Sequence, residues 1–387
     1  MDIRRAHALA ALLRWLGPWA SERALPAGVA RETWLVREGQ LHGFRAHRAG
    51  APPRAGAVSR LEAYVYHPRG APRGVYLIAP GLHFLGPDDP RMDRLCRVLA
   101  AAGFVVVAPF LPAFVDLDVR PDAPDDLERF ARATAERFRS AGRPTIFSIS
   151  FGSWPALEVA ARLDDAVDGV ITFGGYADFG AAVRFCVDGV MRARSGDVRL
   201  AHDPLNLPAL FLNLLPHLAL EGDTSGLASA WRELVYRTWG KMELKVPGRL
   251  EPYWRELAPS VPAPHRQTFL VGAGAEPGAG ELAERALARA GAGFDYADPT
   301  AAMMRLTRPV VVCHGRDDDV IPWNEARKLE RALAPRVPTR LHLTGLYGHT
   351  GAGRPAAGAL AREAATLLGI ARALAHGSAL AELFREP

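Results

Sequence analysis

Three short runs in this chain, Val75-Tyr-Leu-Ile, Val105-Val-Val and Val310-Val-Val, are apolar at every position instead of every second one. A strand with one face in water alternates apolar and polar residues; a strand covered on both faces has no reason to. Strands are expected at 61–67, 74–79, 104–108, 145–149, 169–174, 309–313 and 339–343. Helical patterns at about 90–102, 125–141, 157–163, 324–333 and 355–374 fall between or after them. Strands alternating with helices and buried on both faces predict an α/β protein with a mostly parallel central sheet flanked by helices.

The alternation stops after Tyr176 and resumes only at Pro309. A stretch of roughly 130 residues does not survive as plain connection in a compact domain, so it must fold. Helical patterns at 227–239 and 281–290 make it a helical cap. The expected organisation is an N-terminal extension with an amphipathic helix (1–55), a core made of 56–176 and 301–387, and a cap insertion at 177–300. A possible short strand at 33–36 lies in the extension. The glycine-rich stretch 272–280 neither follows a buried strand nor leads into Lys-Ser/Thr, which argues against a phosphate-cradling loop.

Composition removes several function classes. The chain has 387 residues, 47 of them basic and 42 acidic, and lysine occurs only at 241, 245 and 328. Arginines interspersed with acids form no basic stripe, so nucleic acid is not an expected partner. Cys96, Cys186 and Cys313 are far apart and show no paired spacing, so they are expected as buried thiols of a reducing compartment, with no metal site and no cofactor. No uncharged apolar run approaches the ~18 residues of a membrane span. Leu9, Leu12, Leu13 and Leu16 recur at helical spacing opposite Arg4, His7 and Arg14. The expectation is a cytoplasmic protein with this helix docked on its body; peripheral membrane contact through the helix is the alternative.

The stretch 145–153 reads Thr-Ile-Phe-Ser-Ile-Ser-Phe-Gly-Ser, a strand that stops at Ser150 and gives way to small residues. With Ser148 and Gly152 two before and two after, it matches the G-x-S-x-G strand-to-helix elbow with serine in the first glycine position. A serine hydroxyl needs an imidazole to take its proton, and the imidazole needs a carboxylate to fix its tautomer. On a parallel sheet both should leave the carboxyl ends of later strands. His314-Gly-Arg-Asp-Asp-Asp follows one such strand: Asp318 has the best spacing, with Asp319 second and Asp317 third; a turn capping the next helix would be their structural role. Tyr347-Gly-His-Thr-Gly follows the other and offers His349 in a glycine-flanked loop. His83, His202, His217, His314 and His342 have no such setting.

With the order Ser150, Asp318, His349, the sequence resembles the α/β-hydrolase family over about 61–176 and 305–375. The resemblance implies an oxyanion hole made by the amide of Phe151, next after the nucleophile, and one from the loop Pro80-Gly-Leu-His-Phe-Leu-Gly. There Leu82 is the matching donor, and His83 would serve if the turn is shifted. Two departures stand out: Ser148 replaces a glycine, and Pro80 replaces the histidine of the family's oxyanion loop. The implied function is a serine hydrolase cleaving a carboxylic ester through an acyl-enzyme. Thioesterase or amidase activity on the same triad, or a non-catalytic ligand-binding protein, are the alternatives. Phe211, Leu212, Leu214, Leu215, Trp231, Trp239, Tyr253 and Trp254 of the cap are candidates to line the pocket or to form the cap's own core.

Overall fold

The computed structural model describes residues 3–17, 19–21, 23–36, 62–194, 196–246, 248–346 and 360–385. Eight strands form one sheet: β1 (Ala30–Leu35), β2 (Glu62–His67), β3 (Val75–Ala79), β4 (Val105–Pro109), β5 (Thr145–Ile149), β6 (Gly169–Phe173), β7 (Val310–Gly315) and β8 (Thr339–Thr344). Their order across it is β1-β2-β4-β3-β5-β6-β7-β8. Only the pairings of β2 with β1 and β4 are antiparallel. This is the α/β-hydrolase fold that the sequence resemblance implies.

The runs without alternation are the central strands, and every residue of β3, β4 and β7 is buried. At the sheet's edge, β1 is almost wholly exposed and carries Arg31 and Glu32 outward, charges that blunt an edge against pairing with other chains. The strand expected at 33–36 thus begins three residues earlier and belongs to the central sheet.

Helices cover both faces. On one side Ile3–Leu16, Pro90–Ala101 and Leu360–His376 pack on the sheet, with Ala8 and Leu12 of the first helix buried against the same cluster as Ile370 and Leu374. The segment Glu363–Phe384 is long and apolar enough to cross a membrane, but 56% of its most apolar 18-residue window is buried inside the protein, and Ser378 and Ala379 leave helical geometry. On the other side lie Ala123–Arg137, Ser153–Arg162 and Asn324–Leu333, in a cluster continuous with the insertion. Leu127, Phe130, Ala131 and Thr134 are the buried stripe of Ala123–Arg137, at the three-and-four spacing of a helix face.

Between β6 and β7 the chain folds as helices, the longest being Ser225–Thr238 and Ala279–Ala290, plus a two-stranded ribbon. The insertion is tied at its base. Tyr176 Oη donates to the Ala297 carbonyl at 2.9 Å, and the buried Glu325 carboxylate accepts from the amides of Ala177 and Asp178 at 3.1 and 3.0 Å.

Candidate active site

Strand register brings the loops of interest together. Ile149 lies opposite Phe173, and Phe173 opposite Cys313, so β5 and β6 end level and β7 runs two residues further, to Gly315. Thr344 of β8 lies opposite Gly315. Residues that follow these ends converge on one edge of the sheet, the place where parallel α/β sheets hold their ligands.

Ser150 is the first residue past β5 and has φ +53°, a left-handed conformation that a side-chain-bearing residue adopts only under local constraint. The constraint is visible in the neighbouring glycines. A Cβ on Gly152 would stand 2.3 Å from the Pro80 oxygen and 2.5 Å from the Ala79 oxygen. One on Gly81 would stand 3.4 Å from Ser150 Cβ. The elbow and the loop after β3 are therefore in close contact, and a side chain at Gly152 would separate them, whereas one at Gly81 would make ordinary van der Waals contact. Ser148, in the position where the elbow pattern has its first glycine, is fully buried, and its hydroxyl has no hydrogen-bond partner among the described residues.

Ser150 is 5% exposed and stands where two cavities meet. Leu82, Asn206, Trp239 and Val320 line both of them with it. The inner one, about 70 Å³, runs under the insertion between Val119, Phe179, Leu214 and Phe294. The outer cleft, about 550 Å³, passes between the segment from Trp15 to Arg23 and the insertion's Lys241 and Met242. Phe151 faces the inner cavity, and its amide belongs to the first turn of the helical segment after the elbow, where N–H groups have no intrahelical acceptor.

The loop carrying Leu82 is closed by Gly86 N–H donating to the His83 carbonyl at 2.9 Å, and Leu85 N–H donating to His83 Nδ1 at 3.2 Å. With Nδ1 accepting, the proton of the neutral ring sits on Nε2, 3.3 Å from Asp89. Burial drives the His83 pKa down to about 4 against the pull of Asp89, with Arg91 lowering it further. Asp89 is itself tied to Arg91 and caps the helix Pro90–Ala101 through the Arg91 amide.

Past β7, Asp318 is 2% exposed. Its Oδ1 accepts from the amides of Val320 and Ile321 at 2.9 and 2.8 Å, and Oδ2 lies 3.3 Å from Nε2 of the fully buried His314. Asp319 turns the other way, to Lys245 of the insertion, which also pairs with Asp203 at 2.8 Å. None of the three acids caps the helix Asn324–Leu333. The insertion grips this loop twice more, through Cys186 Sγ donating to the Val320 carbonyl at 3.1 Å and Asp203 N–H donating to the Asp319 carbonyl at 2.8 Å. His349 lies outside the described residues.

Of the eight apolar cap residues expected as pocket or core, Leu214 and Trp239 line the inner cavity. Phe211 and Trp231 are fully buried, with ring centroids 5.8 Å apart, in the cluster that joins the insertion to the sheet. Asn206, Phe179 and Phe294 enter the cavity wall without any signal in the sequence. Cys96, Cys186 and Cys313 are free and buried. No group of three or more metal-ligating side chains occurs among the described residues.

No protein-family model and no curated protein matches the chain. Solved structures do. An esterase of the bacterial hormone-sensitive lipase family matches over 100% of this chain and 98% of its own, at 12% identity and a TM-score of 0.45. The 2-hydroxy-6-oxo-6-phenylhexa-2,4-dienoate hydrolase of Rhodococcus sp. strain RHA1 matches over 75% and 87%, at 18% identity and 0.39. The acylaminoacyl peptidase of Pyrococcus horikoshii matches over 81% of this chain at 10% identity and 0.38, and the chain spans only 38% of that enzyme's length. By its own strand order the chain is an α/β-hydrolase-fold protein.

Proposed function

We propose that the chain is a serine hydrolase that cleaves a carboxylic ester through an acyl-enzyme. The observation that carries this reading is Ser150, held at φ +53° where two cavities meet and in contact with the loop that carries Leu82. Ser150 Oγ attacks the ester carbonyl while His349 takes its proton. The carbonyl oxygen becomes an oxyanion between the amides of Leu82 and Phe151. The C–O bond to the alcohol then breaks, and the alcohol leaves with the proton from His349. A water, deprotonated by the same imidazole, repeats the attack on the acyl-enzyme and frees the acid and Ser150.

Asp318 is the acid that orients His349. It is buried, and one of its oxygens accepts from two amides, which fix the direction of the carboxylate. Asp319 is occupied by Lys245.

A fluorophosphonate probe tests the nucleophile. Wild type should label, while Ser150→Ala and His349→Ala should not; equal labelling of Ser150→Ala sinks the proposal. Asp318→Asn should lower kcat for ester turnover by about 10⁴-fold. A loss of that size in Asp319→Asn alone would transfer the role by one residue.

A further inference from the structure

Ser150 borders two spaces of very different size. The inner cavity, about 70 Å³, has room for roughly five water-sized groups. The outer cleft, about 550 Å³, is of the size that holds a small-molecule ligand. A substrate with a sizeable group on either side of its scissile bond can place that group only in the outer cleft.

The carboxylates on the wall of this cleft are already paired, Asp89 with Arg91 at 2.6 Å and Asp203 with Lys245 at 2.8 Å. Arg23 and Lys241 are exposed. The rest of the buried wall is largely apolar: Phe147, Leu367, Ile370 and Leu374 line it and are each at most 5% exposed. Such a surface offers an apolar group burial and offers a polar one few free partners.

One wall comes from a part of the chain far from the catalytic loops in sequence. Trp15, Leu16, Gly17 and Ala20 line the cleft where the chain leaves the helix Ile3–Leu16 on its way to β1. The end of a helix presents carbonyls without intrahelical partners, and a cation is favoured there. Arg94, of the helix Pro90–Ala101, supplies one. Its Nη2 donates to the carbonyls of Trp15 and Ser21 at 2.8 and 3.2 Å, and its Nε to the Ala24 carbonyl at 3.3 Å. A rigid fork of donors thus clasps the backbone on both sides of Ala20.

We propose that the outer cleft takes an extended alkyl group of the ester, and that Arg94 is a positioning residue for it. By holding the backbone of Trp15, Ser21 and Ala24, Arg94 keeps Trp15, Leu16 and Ala20 in place as the wall that the alkyl group packs on. This rests on the hydrolase reading above and adds the substrate class to it.

The test follows acid release from methyl acetate and from two esters that lengthen it on opposite sides, methyl hexanoate and hexyl acetate. Each methylene moved fully out of water is worth about fourfold, so kcat/KM for one of the two should exceed that for methyl acetate at least about tenfold. In Arg94→Met, which keeps the stem and removes the donors, that ratio should fall at least about threefold, the worth of roughly one buried methylene. Damage to the catalytic groups affects both esters alike and cancels in the ratio. Trp15→Ala trims the wall directly, should lower the ratio likewise, and serves if Arg94→Met fails to fold. A ratio within twofold of wild type in the folded variant overturns the inference. A wild type that labels with fluorophosphonate but gains nothing from either longer ester also overturns it and leaves the hydrolase reading intact. So does a preference for monomethyl adipate over methyl hexanoate, which would mark an anion site at Arg23 and Lys241. A wild type that neither labels nor hydrolyses removes the hydrolase reading and this inference with it.

Discussion

Ser150 and Ser148 sit two residues apart and cost the fold in different ways. Ser150 bears a side chain at φ +53°, a conformation that costs an L-residue about 1–2 kcal/mol and that glycine adopts freely. Ser150→Ala keeps the Cβ and the strain, whereas Ser150→Gly releases it, so the glycine variant should be the more stable of the two inactive proteins by about 1 kcal/mol in urea unfolding. Equal stabilities would mean that the turn is not under strain. Ser148 costs stability because its buried hydroxyl has no partner among the described residues. Ser148→Ala removes a desolvated group from a space it already fills, and should raise stability by about 1 kcal/mol while ester turnover persists. A destabilised Ser148→Ala would mean that the hydroxyl is satisfied in solution. The sequence pattern singled out Ser150, but the orphaned hydroxyl beside it depends on what surrounds Ser148 in three dimensions.

At the scale of elements, the site is three loops held against one another by few contacts. The first contact is Gly152, whose missing Cβ lets the elbow lie against the Ala79 and Pro80 carbonyls. In Gly152→Ala the new methyl meets main-chain oxygens that cannot rotate away, so the loop bearing Leu82 must move. Losing one oxyanion donor typically costs 10²–10³ in kcat, and a fall of at least about 100-fold is expected with the fold retained. Full activity would remove Leu82 from the mechanism. The second contact is Lys245, which neutralises Asp203 and Asp319 where their side chains are 5% and 19% exposed. Lys245→Met leaves two largely buried carboxylates without the cation they share and should destabilise by about 2–3 kcal/mol. Asp319→Asn, which removes one of the two charges, should cost less; a larger loss there would show that Lys245 is not what binds the insertion to the acid loop.

For the whole molecule, what could be read from the chain depended on periodicity and short spacing. The sheet was legible because burial on both faces erases alternation in β3, β4 and β7. Ser150 and Asp318 could be named as candidates because each lies a fixed few residues from a strand end. Asn206, Lys245 and Phe294 could not: they reach the cavities through the tertiary path of the insertion, which leaves no repeat in the sequence. The chain marked His83 only as a second choice of oxyanion donor, and nothing in it pointed to a shifted pKa, yet its part-buried ring gives the molecule an acid sensitivity of its own. Its pKa falls from about 6.5 to about 4 on folding, chiefly through burial. The unfolded chain therefore accepts a proton between those values that the folded one refuses. The associated stability is fully present above pH 6.5 and is lost as pH falls towards 4. Glu62 acts in the opposite direction: burial, with Asp88 nearby, raises it to about 7, so its cost to the fold grows as pH rises from about 4.5 to 7. The two slopes oppose each other in wild type, and a single unfolding curve against pH would hide both. The difference in unfolding free energy between wild type and His83→Gln isolates the histidine. It should be flat above pH 6.5 and shift against wild type by on the order of 2–3 kcal/mol by pH 4. Urea unfolding of both proteins at pH 7.5, 5.5 and 4.5 reads it directly, and a difference that does not change with pH would show that the His83 ring titrates in the folded protein as it does in water.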